Sequence, residues 1–123
     1  MSSLLLSRRD LEFMLYEWLD VTALTDAARF ADHSRETFDA VLDTCERMAT
    51  EIFAPHNQKA DAQEPHFDGE RVRLIDEIQP ALQAFADAGL IASSNDYAVG
   101  GMQLPGVVGK AALSFFNAAN IGN

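Results

Sequence analysis

The stretch Ser34-Arg35-Glu36-Thr37-Phe38-Asp39-Ala40-Val41-Leu42-Asp43-Thr44-Cys45-Glu46-Arg47-Met48-Ala49-Thr50-Glu51-Ile52-Phe53-Ala54-Pro55 decides the fold class. Phe38, Val41, Leu42, Cys45, Met48, Ala49, Ile52 and Phe53 recur at steps of 3, 1, 3, 3, 1, 3 and 1. That is the stripe of an amphipathic α-helix. Glu36, Asp39, Asp43, Glu46, Arg47 and Glu51 fill the opposite face. Ser34 is placed to cap the first turn, its hydroxyl accepting from a free backbone N–H. Pro55 lacks an N–H and crowds the carbonyl four residues back, at a cost of about 3 kcal/mol inside a helix. The helix must kink or end there.

Before this helix, Ser7 and Asp10 form a capping-box-like Ser-x-x-Asp pair. Leu11, Met14, Leu15 and Trp18 then share one helical face, with Phe13 and Tyr16 on another. A helix apolar on nearly all sides wants neighbours on two of them. A short segment around Asp26 to Phe30 links it to Ser34.

After Pro55, His66-Phe67-Asp68-Gly69 reads as a loop with Asp68 as the next helix N-cap. Val72, Ile75, Ile78, Leu82, Phe85 and Ala86 follow at helical spacing, with Pro80 suited to open a second, shorter helix. Gly89 supplies a left-handed residue past the helix end, and Leu90 can close over the last turn. Residues 91–104 are irregular, with Gly100-Gly101 permitting positive φ. Pro105 begins a last, apolar helix carrying Val107, Val108, Ala111, Ala112, Leu113, Phe115, Phe116 and Ala119. No strand-like alternation and no repeat is visible. The expected fold class is all-α.

With 123 residues and 48% hydrophobic side chains the chain can build one core. Net charge is −10, spread evenly: residues 1–60 carry 6 basic and 11 acidic side chains, residues 61–123 carry 3 and 8. With no basic patch, nucleic acid and anionic membranes are poor partners. Cys45 is the one cysteine, which excludes an internal disulfide and suits a reducing, cytoplasmic setting. No apolar run approaches the roughly 20 residues of a membrane span. Leu4-Leu5-Leu6 is too short for a secretion signal.

Chemistry-bearing groups are sparse. His33, His56 and His66 form no Glu-x-x-His pairs, so no metal site is expected. Cys45 sits on the apolar stripe beside Asp43 and Glu46, a setting that keeps a thiol inert. Gly100-Gly101 has neither the preceding strand nor the following Lys-Ser/Thr of a phosphate loop. No catalytic and no cofactor-binding residue is found. Phe115-Phe116 could be core or the wall of a ligand channel, since both need an apolar inward face.

The order of elements adds a resemblance. A long helix interrupted by Pro55 is followed by Asp68-Gly69, a helix closed by Ala88-Gly89-Leu90, a Tyr97…Gly100-Gly101 turn and an apolar helix from Pro105. Together these resemble the all-helical N-terminal domain of acyl-CoA dehydrogenases. The opening Leu4–Leu19 is similar to the leader of the longer bacterial branch of that family. The resemblance implies a leader helix segment over 1–33 and the N-terminal-like helical bundle over 34–123. It also implies a kinked helix running through Pro55 to about Ala62.

In that family FAD accepts the β-hydride while a carboxylate removes the α-proton of the acyl thioester. Both groups lie in the later domains, so this chain is expected to be a fragment truncated at its C-terminal end. It would be inactive alone, bind no flavin itself, and help cover the acyl chain of acyl-CoA. Phe116, Asn120 and Ile121 are the implied acyl-wall candidates. The implied partners are the remaining domains of the enzyme. First and last helices stripped of their cover would favour a homo-oligomer. A free-standing helical interaction or assembly module is the alternative reading.

Overall fold

The computed structural model describes residues 4–122 and is mostly helical. Its central pair is α2 (Arg35–Met48) and α5 (Gly106–Ala119), packed on one another. Ser34 caps α2 as its sequence suggests. Its Oγ accepts the Thr37 N–H at 3.3 Å, and Thr37 Oγ1 accepts the Ser34 N–H at 2.9 Å. Such a cap contributes about 1 kcal/mol. Phe38, Leu42, Cys45, Ala49 and Phe53 are buried along one line, while Val41 and Met48 are half-buried. From α5, Val108, Ala112, Phe115, Phe116 and Ala119 enter the same core. The last helix is therefore well covered, contrary to the expectation that it lies open. Its apolar face meets α2.

The chain continues through Pro55 with a kink rather than a stop. A π-helical turn spans Ala49–Phe53, a 3-10 turn Ala54–His56, and α3 runs Asn57–Ala62. Because Pro55 cannot donate to the carbonyl four residues back, the ladder shifts register: the Ala54 N–H donates to Ala49 O, five residues away. The wider turn carries Ile52 outward, off the stripe it occupies on an ideal helix.

The N-terminal segment forms α1 (Arg8–Glu12) and continues as a π-helical turn over Phe13–Trp18. Ser7 Oγ accepts the Asp10 N–H at 3.2 Å, as the capping pair predicts. The π geometry overturns the expected inward face. Leu15 and Tyr16 are buried, whereas Met14 and Trp18 face solvent with Phe13 and Leu19. Leu15, Tyr16 and Val21 join the core shared by α2 and α5.

Charge holds α1 in register on the acidic side of α2. The Arg8 side chain, only 16% exposed, reaches Glu12, Asp39, Asp43 (2.7 Å) and Glu46. Tyr16 Oη donates to Asp39 Oδ1 at 2.6 Å, and the Arg35 guanidinium lies 3.9 Å over the Tyr16 ring centre.

Beyond α3 the sequence reading needs a correction. Residues around Asp68-Gly69 form a small antiparallel hairpin, β1 (His66–Phe67) against β2 (Val72–Arg73). Asp68 caps its turn rather than a helix: Oδ1 accepts the Glu70 and Arg71 N–H groups at 2.9 and 3.0 Å. Gly69 takes φ +101°, which an L side chain rarely adopts. The fold is thus mostly helical, compatible with the expected all-α class, with one two-stranded ladder among the described residues.

The following helix, α4 (Ile78–Asp87), is single, with Pro80 inside its first turn, where backbone N–H groups have no helical partner. It ends as expected. The Gly89 N–H donates to Ala86 O and the Leu90 N–H to Phe85 O, the paired bonds of a left-handed glycine cap.

Candidate functional site

A cleft of about 400 Å³ lies between α2, the C-terminal end of α4, the loop after Leu90 and α5. Its floor is apolar: Cys45, Leu104, Ala112 and Phe116 are all buried. Its open side is mixed, with Ser94, Lys110 and Leu113 exposed and Ser93 half-buried. The volume lies low in the usual range for small-molecule sites, about 300–1,000 Å³.

The loop that carries Ser93 and Ser94 is fastened to the rest of the fold by side chains distant in sequence. Arg29 Nη1 pairs with Asp96 Oδ1 at 2.6 Å, and Nη2 donates to Ser94 O at 3.1 Å. Gln103 Nε2 donates to Arg29 O at 2.8 Å. His33 Nε2 lies 2.9 Å from Met102 O. A carbonyl oxygen only accepts, so this nitrogen carries the proton. These contacts fix the rim of the cleft against the segment before α2.

Of the three residues expected on an acyl wall, one reaches the cleft. Phe116 lines it and also meets Phe53 and Phe85 edge to face, with ring centres 4.9 and 5.1 Å apart. Phe116 is therefore core and wall at once. Asn120 is buried elsewhere, its Nδ2 donating to Phe53 O at 3.0 Å beside the Pro55 kink. Ile121 is 78% exposed, because the backbone leaves helical geometry at Asn120 and turns it outward. Neither lines the cleft.

Sequence reading missed Lys110, Gly109 and the Ser93-Ser94 pair as parts of this wall. The available signal was Gly106-x-x-Gly109, which places two residues without side chains on one face of an otherwise apolar helix.

The histidines are scattered. His33 bridges two loops, His56 is buried against Phe53, and His66 is exposed on the hairpin. Among the described residues no cluster of His, Cys, Asp and Glu could hold a metal ion. No described helix is long and apolar enough to cross a membrane.

Burial pushes the Cys45 thiol from 9.0 up to about 11. The raised value favours the neutral thiol in the folded chain. Its stabilising contribution is complete below pH 9 and is lost as pH rises through about 11. Two pKa units also lower the thiolate fraction about a hundredfold near neutral pH. Native protein is therefore expected to react with iodoacetamide at pH 8 at least about a hundredfold more slowly than the urea-unfolded chain. Comparable rates would place Cys45 outside the core.

Compared with known proteins, the chain matches no family model and no curated protein.

Proposed function

We propose that this chain is the N-terminal helical part of a flavin-dependent acyl-CoA dehydrogenase, helping to shape the apolar surroundings of the acyl chain. The observation that carries the reading is the place of α5. The apolar helix that follows the Gly100-Gly101 turn is the central element, and its Phe116 faces both core and cleft. The Pro55 kink, the Gly89 cap and the Pro105 helix start occur in the order the resemblance requires.

In this reading the chain contributes apolar contact and exclusion of water. FAD, when bound in the whole enzyme, supplies the hydride acceptor. The cleft wall does not fit a flavin: its side chains offer one cation and two hydroxyls, with no glycine-rich phosphate loop. Cofactor and base are thus assigned to the remaining domains, and no catalytic step is routed through the residues described here.

A second reading, a helical interaction or assembly module without enzymatic activity, is favoured by one observation. Phe13, Met14, Trp18 and Leu19 are exposed together on the leader, Trp18 to 69%. Apolar surface of that kind suits a partner, and a second copy would serve.

The test is the coding sequence directly after the Asn123 codon, with the visible spectrum of the purified natural gene product. An in-frame β-rich domain and helical bundle, with flavin absorbance bleached by acyl-CoA, is the expected result. A natural product of this length without flavin overturns the dehydrogenase reading and leaves the module.

A further inference from the structure

We infer that the cleft between α2, α4 and α5 is a binding site for a single-chain amphiphile with a carboxylate head. The apolar tail enters between Cys45, Leu104 and Phe116, and the carboxylate pairs with Lys110 at the open side. This goes beyond the dehydrogenase reading and does not depend on it. There the acyl group is a neutral thioester, whereas the present site takes a free carboxylate on this chain alone.

Three observations converge on this ligand. First, the wall is graded: buried apolar side chains form the floor, while Ser94 and Lys110 are exposed at the edge. A ligand apolar at one end and anionic at the other matches that gradient. Second, Lys110 forms no ion pair with any described residue, although acidic side chains outnumber basic ones by 19 to 9 in this chain. The Ser93 and Ser94 hydroxyls likewise make no hydrogen bond with described residues. The edge therefore presents one cation and two hydroxyls to an incoming acceptor.

Third, α5 carries Gly109 in its interior, where glycine is disfavoured relative to alanine. A Cβ built at Gly109 or Gly106 meets nothing within 4 Å. Helix geometry does not demand these glycines, and neighbouring atoms do not forbid a side chain. What their absence does is leave the wall of the cleft open.

Charge sets the head group. A net charge of −10 disfavours approach by multiply charged anions such as a nucleotide or a phosphate dianion. A single lysine acts as a point charge suited to a monoanion. The smaller cleft of about 340 Å³ beside the hairpin is a weaker candidate, since Ile78 is the one buried residue on its wall and the Asp76 carboxylate stands there too.

The site is tested by calorimetric titration of the 123-residue chain with decanoate and with decan-1-ol, both below their aggregation limits. Decanoate is expected to bind one to one and at least about tenfold more tightly than decan-1-ol, the worth of a charge-assisted contact. Gly109→Leu should lower decanoate affinity at least about tenfold by filling the cleft. Its circular dichroism and Tm should stay close to wild type, because the added side chain enters open space. Gly109→Ala provides a milder filling on an intact fold, with a smaller loss. Lys110→Gln should bring decanoate down to the affinity of decan-1-ol and leave decan-1-ol unchanged. Absence of decanoate binding, or undiminished binding by a folded Gly109→Leu chain, overturns the site. Equal binding of both ligands, unaffected by Lys110→Gln, overturns the carboxylate assignment.

Discussion

Gly101→Ala is expected to destabilise the chain by about 3 kcal/mol or more, the range of severe backbone conflicts. A Cβ at Gly101 would fall on the Asn95 carbonyl group and within 2.8 Å of Ala92 O. Both obstacles are backbone, so no side-chain rotation relieves them. The crowded region is also where the loop is stitched together. The Gly101 N–H donates to Asp96 O at 2.9 Å, the Gln103 N–H to Asn95 O at 3.0 Å, and the Leu104 N–H to Ser93 O at 2.9 Å. Moving Asn95 aside disturbs all three bonds, and with them the buried Leu104 and the entry into α5.

Against a total stability of about 5–15 kcal/mol for a domain, such a loss is large. A fall in Tm of more than about 10 °C should result. Gly100→Ala is the informative control. Gly100 needs its φ of +85° but has open space around it. The cost there is the left-handed backbone alone, about 1–2 kcal/mol. Thermal melts followed by circular dichroism should rank wild type, Gly100→Ala and Gly101→Ala in that order. A Gly101→Ala chain melting within about 2 °C of wild type would mean the two strands of the loop do not approach as described.

That pair of glycines also shows how far the sequence could be read. Gly100-Gly101 is legible as a turn because glycine is the residue that tolerates positive φ. Only Gly100 uses that freedom, while Gly101 is required by a contact with Asn95 that no local pattern records. The α2 stripe was legible for a different reason: its period repeats over four turns and Ser34 marks its start. Gly89 and Pro105 were likewise readable, since helix ends leave backbone groups that few residue types satisfy.

Where the reading failed, one local chemistry had two outcomes or the signal was too short. Asp68 offers its carboxylate to neighbouring N–H groups, and that preference serves a helix cap or a hairpin turn equally well. The strands it joins are two residues each, below the length at which alternation shows. The π turns at Phe13–Trp18 and Ala49–Phe53 arise from a shift of hydrogen-bond register, which hydrophobic spacing does not encode. They move Met14, Trp18 and Ile52 off the faces an ideal helix assigns. The cleft is a space rather than a residue pattern. Phe115-Phe116 was legible as an inward apolar pair, open between core and channel wall, and where Asn120 and Ile121 point depends on where the chain leaves that helix.

Phe116 is where stability and the proposed ligand site meet, and its truncation should separate them. Phe116→Ala is expected to cost about 3–5 kcal/mol, as for other buried aromatic side chains cut to alanine. The ring is 6% exposed and stands at 74° and 82° to Phe53 and Phe85, whose own centres are 6.5 Å apart. Removing it deletes two edge-to-face contacts and leaves the third pair facing a void between α2, α4 and α5. Urea denaturation should show a lower midpoint at unchanged slope, the sign of lost stability without a change of fold.

Phe116→Leu keeps most of the volume and should cost less than about 1.5 kcal/mol. It thus provides a folded chain in which the ring alone is missing. Because Phe116 also forms the floor of the cleft, the leucine variant should deepen it. Longer carboxylates such as tetradecanoate should then gain affinity relative to decanoate, by up to a few-fold for each extra buried methylene. A Phe116→Ala loss below about 1 kcal/mol would remove this ring from the core. If Phe116→Leu leaves the chain-length preference unchanged, the tail does not reach the floor. A loss of stability together with a shifted preference requires one ring to act in both places, which is what its position between Phe53, Phe85 and the cleft implies.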